Sequence, residues 1–269
     1  MVPGGRLKNG LQGFWPLTEG GGQRVYDRSG RGNHGTLTNW ATFPGAWVNR
    51  NGNNVVYYNE GTGVGADTYI TVGSAPPLDD QNIRFTWACR VYLISLGRSS
   101  QSRFMSKSSV KNWLVQNGPN NFNATITRAT TNASFTSNNN EVTLGAWMTL
   151  FMTWDESDGI RMYKMLDGQR LKAVSIAARA TGAGAFTTDA ADPLILGNRI
   201  GGGTYDRPID GYAEWFATWD RNLSFAEMQQ FADDPYGLLS IKSAKGKAPA
   251  GGGPPATIST RMTLMGVGR

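Results

Sequence analysis

Apolar and polar residues alternate with a period of two along most of this chain, the pattern of strands with one buried face. The clearest stretch is 83–93, IRFTWACRVYL. Phe85, Trp87, Cys89, Val91 and Leu93 share one face of it, and Arg84, Thr86, Ala88, Arg90 and Tyr92 share the other. β-Branched and aromatic runs flanked by turn residues predict further strands at 13–17, 35–38, 53–58 and 68–72. A Ser/Asn/Thr-rich region predicts a meander of short strands at 104–107, 112–116, 122–128 and 133–137. The run 146–154, AWMTLFMTW, is apolar on both faces and predicts a strand buried from both sides. Turns at 155–159 and at Asp167-Gly168 lead into strands at 160–165 and 169–175. Strands at 194–196 and 211–219 follow, the latter with Ala213, Trp215, Ala217 and Trp219 on one face. A helix is predicted at one place only. Ser224 and Glu227 have capping-box spacing, Leu223 and Met228 the spacing of a hydrophobic staple, and Pro235 stops the helix. Phe225, Met228 and Phe231 would pack on one side of it. About a dozen strands and one short helix predict an all-β sandwich.

Composition agrees with this: 269 residues, 35 of them Gly, with 9 Trp, 9 Tyr and 11 Phe for a sizeable core. The net charge of +6 belongs to the ends. Arg6 and Lys8 precede residue 10, and Lys242, Lys245, Lys247, Arg261 and Arg269 follow residue 239, with no acid in either end. The body between holds 19 basic against 20 acidic residues, which gives no basic face for nucleic acid. The single cysteine, Cys89, excludes an internal disulfide framework and reads as a buried thiol. No run approaches the ~20 apolar residues of a membrane span, and no apolar leader follows Met1. The chain is read as an N-terminal arm (1–10), a sandwich domain (11–239) and a basic Gly/Pro-rich tail (240–269) that would gain order on a partner.

Candidate chemistry centres on 15–39, WPLTEGGGQRVYDRSGRGNHGTLTN. Asp27, Asn33 and nearby carbonyls are hard oxygen donors in a tight loop, the kind that calcium takes six to eight of. The alternative is that Asp27 and Asn33 bond to their own backbone. No helix follows the loop, so it is no phosphate cradle. His34, the sole histidine, has no nucleophile partner and reads as a loop filler. A glycosidase would need two carboxyls facing one bond. Neither Asp155, Glu156 and Asp158 nor Asp206, Asp210 and Glu214 places two acids at i, i+2 on one strand face, so no enzyme is expected. Aromatics in loops or at strand ends, namely Trp40, Trp47, Tyr57, Tyr58, Trp113 and Tyr205, are candidate sugar platforms.

Three segments resemble, in order, the laminin-G-like domain of the concanavalin A-like lectin/glucanase superfamily. They are GFWPLTEGGGQRVYDRSGRGNHGTLTN (13–39), LGAWMTLFMTWDESDGIRMYKMLDGQRL (144–171) and LILGNRIGGGTYDRPIDGYAEWFATWDRNLSFAEM (194–228). The resemblance implies a two-sheet antiparallel jelly roll with its first and last strands side by side. It also implies a structural calcium held by the loop and an acid of the closing strand, which adds Asp210 and Glu214 to Asp27 and Asn33. Glu214 stands where relatives carry Asp. Solitary domains of this kind are similar to tailed-phage structural modules. The resulting expectation is a non-catalytic structural or adhesive module on a virion. It would be anchored to other capsid proteins through both arms and free to self-associate. The alternative is a glycan-binding, lectin-type module outside the cell or at its surface.

Overall fold

The computed structural model describes residues 4–38, 46–50, 52–58, 68–74, 76, 78–79, 81, 83–97, 101–107, 110–116, 120–201, 204–205 and 207–238. In chain order it begins with a helical turn α1 (Gly4–Lys8), then β1 (Leu11–Trp15), β2 (Arg24–Val25), β3 (Gly35–Thr38), β4 (Trp47–Arg50), β5 (Asn53–Tyr58) and β6 (Tyr69–Val72). Next come β7 (Arg84–Leu93), β8 (Gln101–Lys107), β9 (Lys111–Gln116), β10 (Asn121–Ile126), β11 (Ala133–Ser137) and β12 (Trp147–Asp155). After them follow β13 (Gly159–Leu166), β14 (Lys172–Ala173), β15 (Ile176–Ala180), β16 (Leu194–Leu196), β17 (Ile200–Gly201) and β18 (Thr204–Tyr205). The chain closes with β19 (Gly211–Trp219), helix α2 (Phe225–Asp233) and a 3₁₀ turn, Pro235–Leu238. Among the described residues no helix is long and apolar enough to cross a membrane.

Two antiparallel sheets carry the fold. One runs β14-β13-β12-β7-β19-β5-β4 with β1 added beside β19, and the other runs β15-β11-β10-β9-β8-β16-β6-β3-β2. This is the two-sheet sandwich that the strand pattern and the resemblance imply, and its first and last long strands lie side by side. The alternation in β7 sets the layers. Phe85, Trp87, Cys89, Val91 and Leu93 point between the sheets and meet Phe104, Trp113, Phe122 and Trp154. Ala88 points the other way, into a second cluster with Phe14, Phe151, Trp215, Trp219, Met228 and Phe231, which α2 covers. Burial pushes the Cys89 thiol well above its usual pKa, as an inert core thiol requires.

The structure differs from the sequence reading at four places. The regular alternation 213-215-217-219 does not hold in β19, because its register against β7 shifts between Ala213 and Trp215. Ala213 and Phe216 face the inter-sheet core, while Trp215, Ala217 and Trp219 face α2. The first half of β19 pairs with β5 and the second half with β1, so the bulge sits where the neighbouring strand changes. Residues 4–10 are not a loose arm: Leu7 is buried under α2, and its carbonyl accepts from the Trp219 indole at 2.7 Å. Phe225 is 49% exposed instead of packed with Met228 and Phe231. The stretch 169–175 pairs only over Lys172–Ala173, and the exposed edge strand β15 follows it. Residues 240–269 lie outside the described residues, and with them the proposed tail anchor.

Candidate functional site

The outer face of the first sheet is covered by α2 at one end only. At the other end four aromatic side chains stand in one cross-strand row. Tyr57 on β5 is opposite Tyr212 on β19, Tyr212 is opposite Tyr92 on β7, and Tyr92 is opposite Trp147 on β12. All four are partly exposed. Their ring centres lie 5.0, 5.9 and 5.7 Å apart in that order. Aromatic pairs at such distances are worth roughly 0.5–1.5 kcal/mol each beyond the area they bury, so the row holds its shape before anything binds. Gly211 makes the row possible. It has φ 151, and a Cβ there would lie 2.0 Å from the Tyr92 carbonyl oxygen, so only glycine lets β19 approach β7 beside Tyr212.

Two arginines lie against the row. The Arg50 guanidinium sits 4.2 Å from the Tyr212 ring centre and 4.7 Å from that of Tyr92. Arg90 sits 5.2 Å from the Trp147 ring centre. Arg90 is spoken for: it bonds Asp167 Oδ1 at 2.8 Å, Glu214 Oε2 at 2.7 Å and Thr149 Oγ1 at 3.2 Å. Burial works against its charge, but the hydrogen bonds and charges of Asp167 and Glu214 outweigh it and raise the pKa further. Among the described residues no carboxylate pairs with Arg50. Beside Arg90 a cleft of about 560 Å³ opens, lined by Asp167, Gln169, Glu214, Asp233, Asp234 and Tyr236 among others. Burial first, and the Glu214 carboxylate second, push the Tyr236 phenol up, so it stays protonated and donates to Glu214 Oε1 at 2.9 Å. At the opposite end of the row, burial and then Asp210 raise Tyr57.

The Asp27 loop does a different job. Asp27 Oδ1 accepts from Phe14 N at 3.0 Å and Ser29 N at 2.8 Å, and Oδ2 accepts from Asn33 N at 2.9 Å and Ser29 Oγ at 2.8 Å. Arg28 N donates to Phe14 O at 2.7 Å, so the loop satisfies both backbone groups of Phe14, on the edge of β1 that faces away from β19. The Asn33 amide donates to Gln12 O, and its carbonyl accepts from the Trp15 indole at 2.7 Å. His34 Nδ1 accepts from Asp27 N at 3.0 Å, a loop role as expected. Asp27 and Asn33 are therefore brought together, but as hydrogen-bonding turn residues. Glu214, the extra residue of the β19 bulge, is committed to Arg90 and Tyr236, and Asp210 lies by Tyr57. Among the described residues no group of three or more acidic, His or Cys side chains could hold a metal. Of the four calcium candidates, Asp27 accepts from four donors with its two oxygens, the Asn33 amide donates to Gln12 O, and Glu214 is shared by Arg90 and Tyr236.

The sugar-platform candidates separate sharply. Tyr58 and Trp113 are 0% and 1% exposed core residues, packed on Phe216 and Phe104 respectively, and present no face to a ligand. Trp47 is partly exposed, and its indole donates to Gly22 O at 2.8 Å. Trp40 and the side chain of Tyr205 lie outside the described residues, as does Asp206. Of the row, only Tyr57 was singled out by sequence. Tyr92 and Trp147 were within reach of it, because Tyr92 falls on the polar face of the 83–93 alternation and Trp147 opens the 146–154 run. The other acids are tied down: Asp155 to Ser157, Glu156 to Arg128, and Asp158 to Arg161 and Arg179.

Known proteins agree with this architecture. Residues 64–229 match a laminin-G-type family model described as the concanavalin A-like lectin/glucanases superfamily. A search of curated proteins found no match. Among solved structures the chain is similar to the binding domain of botulinum neurotoxin DC in complex with rat synaptotagmin II. That likeness has TM-score 0.56 at 7% identity over 84% of this chain. The Trypanosoma rangeli sialidase in complex with sialic acid is also similar, with TM-score 0.51 at 15% identity over 82% of this chain. The chain spans 52% of the toxin chain and 32% of the sialidase chain, so the likeness is one of fold. From its two-sheet sandwich and the match over more than half its length, the chain belongs to the concanavalin A-like lectin/glucanase superfamily.

Proposed function

We propose that this protein is a non-catalytic glycan-binding module that lays a sugar along the row Tyr57–Tyr212–Tyr92–Trp147, with the cleft beside Arg90 as its polar wall. The observation that carries the reading is the row itself: four partly exposed aromatics in register on a rigid sheet. A ligand site of this kind needs apolar and aromatic area with a few placed polar groups, and these residues supply both. Hydrolysis asks for something else, a carboxyl held protonated opposite a second, ionised one. The displaced carboxyls of Glu141, Asp155, Asp158 and Glu227 all move downward, toward the ionised form.

Glycan-array binding by the full chain, repeated with Trp147→Ala, tests the reading. Retention of specific glycans that is lost in the variant supports it, and an array left blank by the folded protein removes it. Display on a virion is the setting we propose for such a module. Residues 4–10 pack on their own domain, which leaves residues 240–269 to do any anchoring. Mass spectrometry of purified particles tests that setting.

A further inference from the structure

Arg50 is the one feature of the row that aromatic stacking does not use up. Its guanidinium lies over both Tyr212 and Tyr92, at 4.2 and 4.7 Å from their ring centres. A cation held over ring faces is attracted there through its charge and keeps N–H donors that the rings do not take. Among the described residues no acid accepts from those donors, whereas Arg90, at the Trp147 end, is bonded to two carboxylates. A planar fork with free donors is the group that recognises a carboxylate or a sulfate through two parallel hydrogen bonds. Contact with two rings already restricts its rotamers, so less entropy is lost when the anion arrives.

From this geometry we infer that the row selects acidic sugars, and that Arg50 is the residue that meets the anionic group. The inference rests on the glycan-binding reading above and adds the class of glycan. The charges around the row fix where the anion goes. Asp210 stands near Tyr57, and Asp167 and Glu214 stand at the Trp147 end with Arg90 between them. An anion is repelled from both ends and meets Arg50 over the two central rings. The exposed rim near Tyr92 is apolar, with Ile94 47% exposed and Leu144 42% exposed, and Gly145 adds no side chain there. Among the described residues, neither the paired Arg90 at one end nor the apolar rim at Ile94 and Leu144 competes with Arg50 for the anion. The sugar body then packs on aromatic carbon while its acid takes the guanidinium edge.

The test uses the full chain on an array carrying each oligosaccharide backbone in neutral, carboxylated and sulfated forms, with wild type, Arg50→Gln and Trp147→Ala compared. The expected result is at least 10-fold tighter binding to an acidic form than to its neutral parent. That preference should vanish in Arg50→Gln, whatever that variant does to binding of the neutral parent, and raising salt from about 50 to about 500 mM should narrow it. Preference for carboxylated over sulfated forms, or the reverse, identifies the anion. Equal binding of neutral and acidic forms by the wild type, lost in Trp147→Ala, overturns the inference and leaves the glycan-binding reading standing. A preference that survives in Arg50→Gln overturns it as well, because the anion is then met elsewhere. Absence of binding to every form removes the reading on which the inference depends.

Discussion

Tyr92 on β7 and Trp147 on β12 stand directly opposite each other, their ring centres 5.7 Å apart and their planes at 66°. The pair is half of a row whose other half, Tyr57 and Tyr212, is brought in by β19 and β5. Everything proposed for the molecule depends on those strands keeping one register. A slip of one residue in any of them would turn its aromatic into the core and an aliphatic neighbour outward.

Gly211 is where that register is most exposed to test. Gly211→Ala places a Cβ 2.0 Å from the Tyr92 carbonyl at a φ of 151. The overlap is with backbone, so no rotamer relieves it. We expect a loss of about 2 kcal/mol or more in urea unfolding, together with a shifted near-ultraviolet aromatic spectrum as Tyr212 moves off Tyr92.

The Asp27 loop should behave as a hydrogen-bonded clasp. Asp27→Ala leaves the buried Phe14 and Asn33 amides without their acceptor. At roughly 1–3 kcal/mol for each unsatisfied buried group, the expected destabilisation is about 3 kcal/mol. Because both carboxylate oxygens are already used, a chelator should leave the melting temperature of the wild type unchanged. A fall on chelation, restored by calcium, would contradict this account of the loop.

Between the sheets an ion cluster holds the second sheet's centre. Lys107 and Lys111 are each 1% exposed, and both turn to Asp189, at 3.2 and 2.5 Å. Lys107 also reaches Asp79 at 2.7 Å and the Leu78 carbonyl at 2.9 Å. Asp189→Asn removes the shared counter-charge from two buried ammoniums. Breaking a buried pair in this way costs about 3–5 kcal/mol, and denaturant unfolding should show a loss in that range.

Acid should weaken the cap of α2. Glu227 is held down to a pKa of about 2 by Arg221 first, with the Ser224 cap also favouring the ionised form, against the opposing effect of burial. A depressed acid contributes stability that is complete above its unfolded value and is lost as pH falls through its folded one. The contribution of the cap is therefore present above pH 4.5 and disappears toward about pH 2. Glu227→Gln should abolish that part of the acid transition, read by carboxyl-resolved NMR titration and far-ultraviolet circular dichroism.

Much of the fold was legible in the sequence because a period of two needs only local information. The face of β7 that carries Phe85, Trp87 and Cys89 is the core face, and the Ser224–Glu227 capping box forms as its spacing implies. The bulge in β19 was not legible. Ala213, Trp215, Ala217 and Trp219 alternate cleanly, and the break exists only because β19 exchanges β5 for β1 along its edge. The site was less visible still. Tyr57 and Tyr58 are adjacent and identical in type, and pairing between distant strands alone decides that Tyr58 is core and Tyr57 is surface. Tyr92, Trp147 and Tyr212 become neighbours through pairing that no local pattern specifies. Asp27 and Asn33 carried a calcium-like donor set in sequence. Only the structure shows their polar groups taken by backbone and side-chain partners.

The central claim is that the row binds sugar, and titration calorimetry of Trp147→Ala against a glycan retained by the wild-type array tests it most directly. The variant should keep its melting temperature within a few degrees, because Trp147 is only partly buried, and should lose at least 10-fold in affinity. Undiminished affinity in a folded Trp147→Ala protein, with Tyr92→Ala equally without effect, would place the binding surface elsewhere and contradict the account.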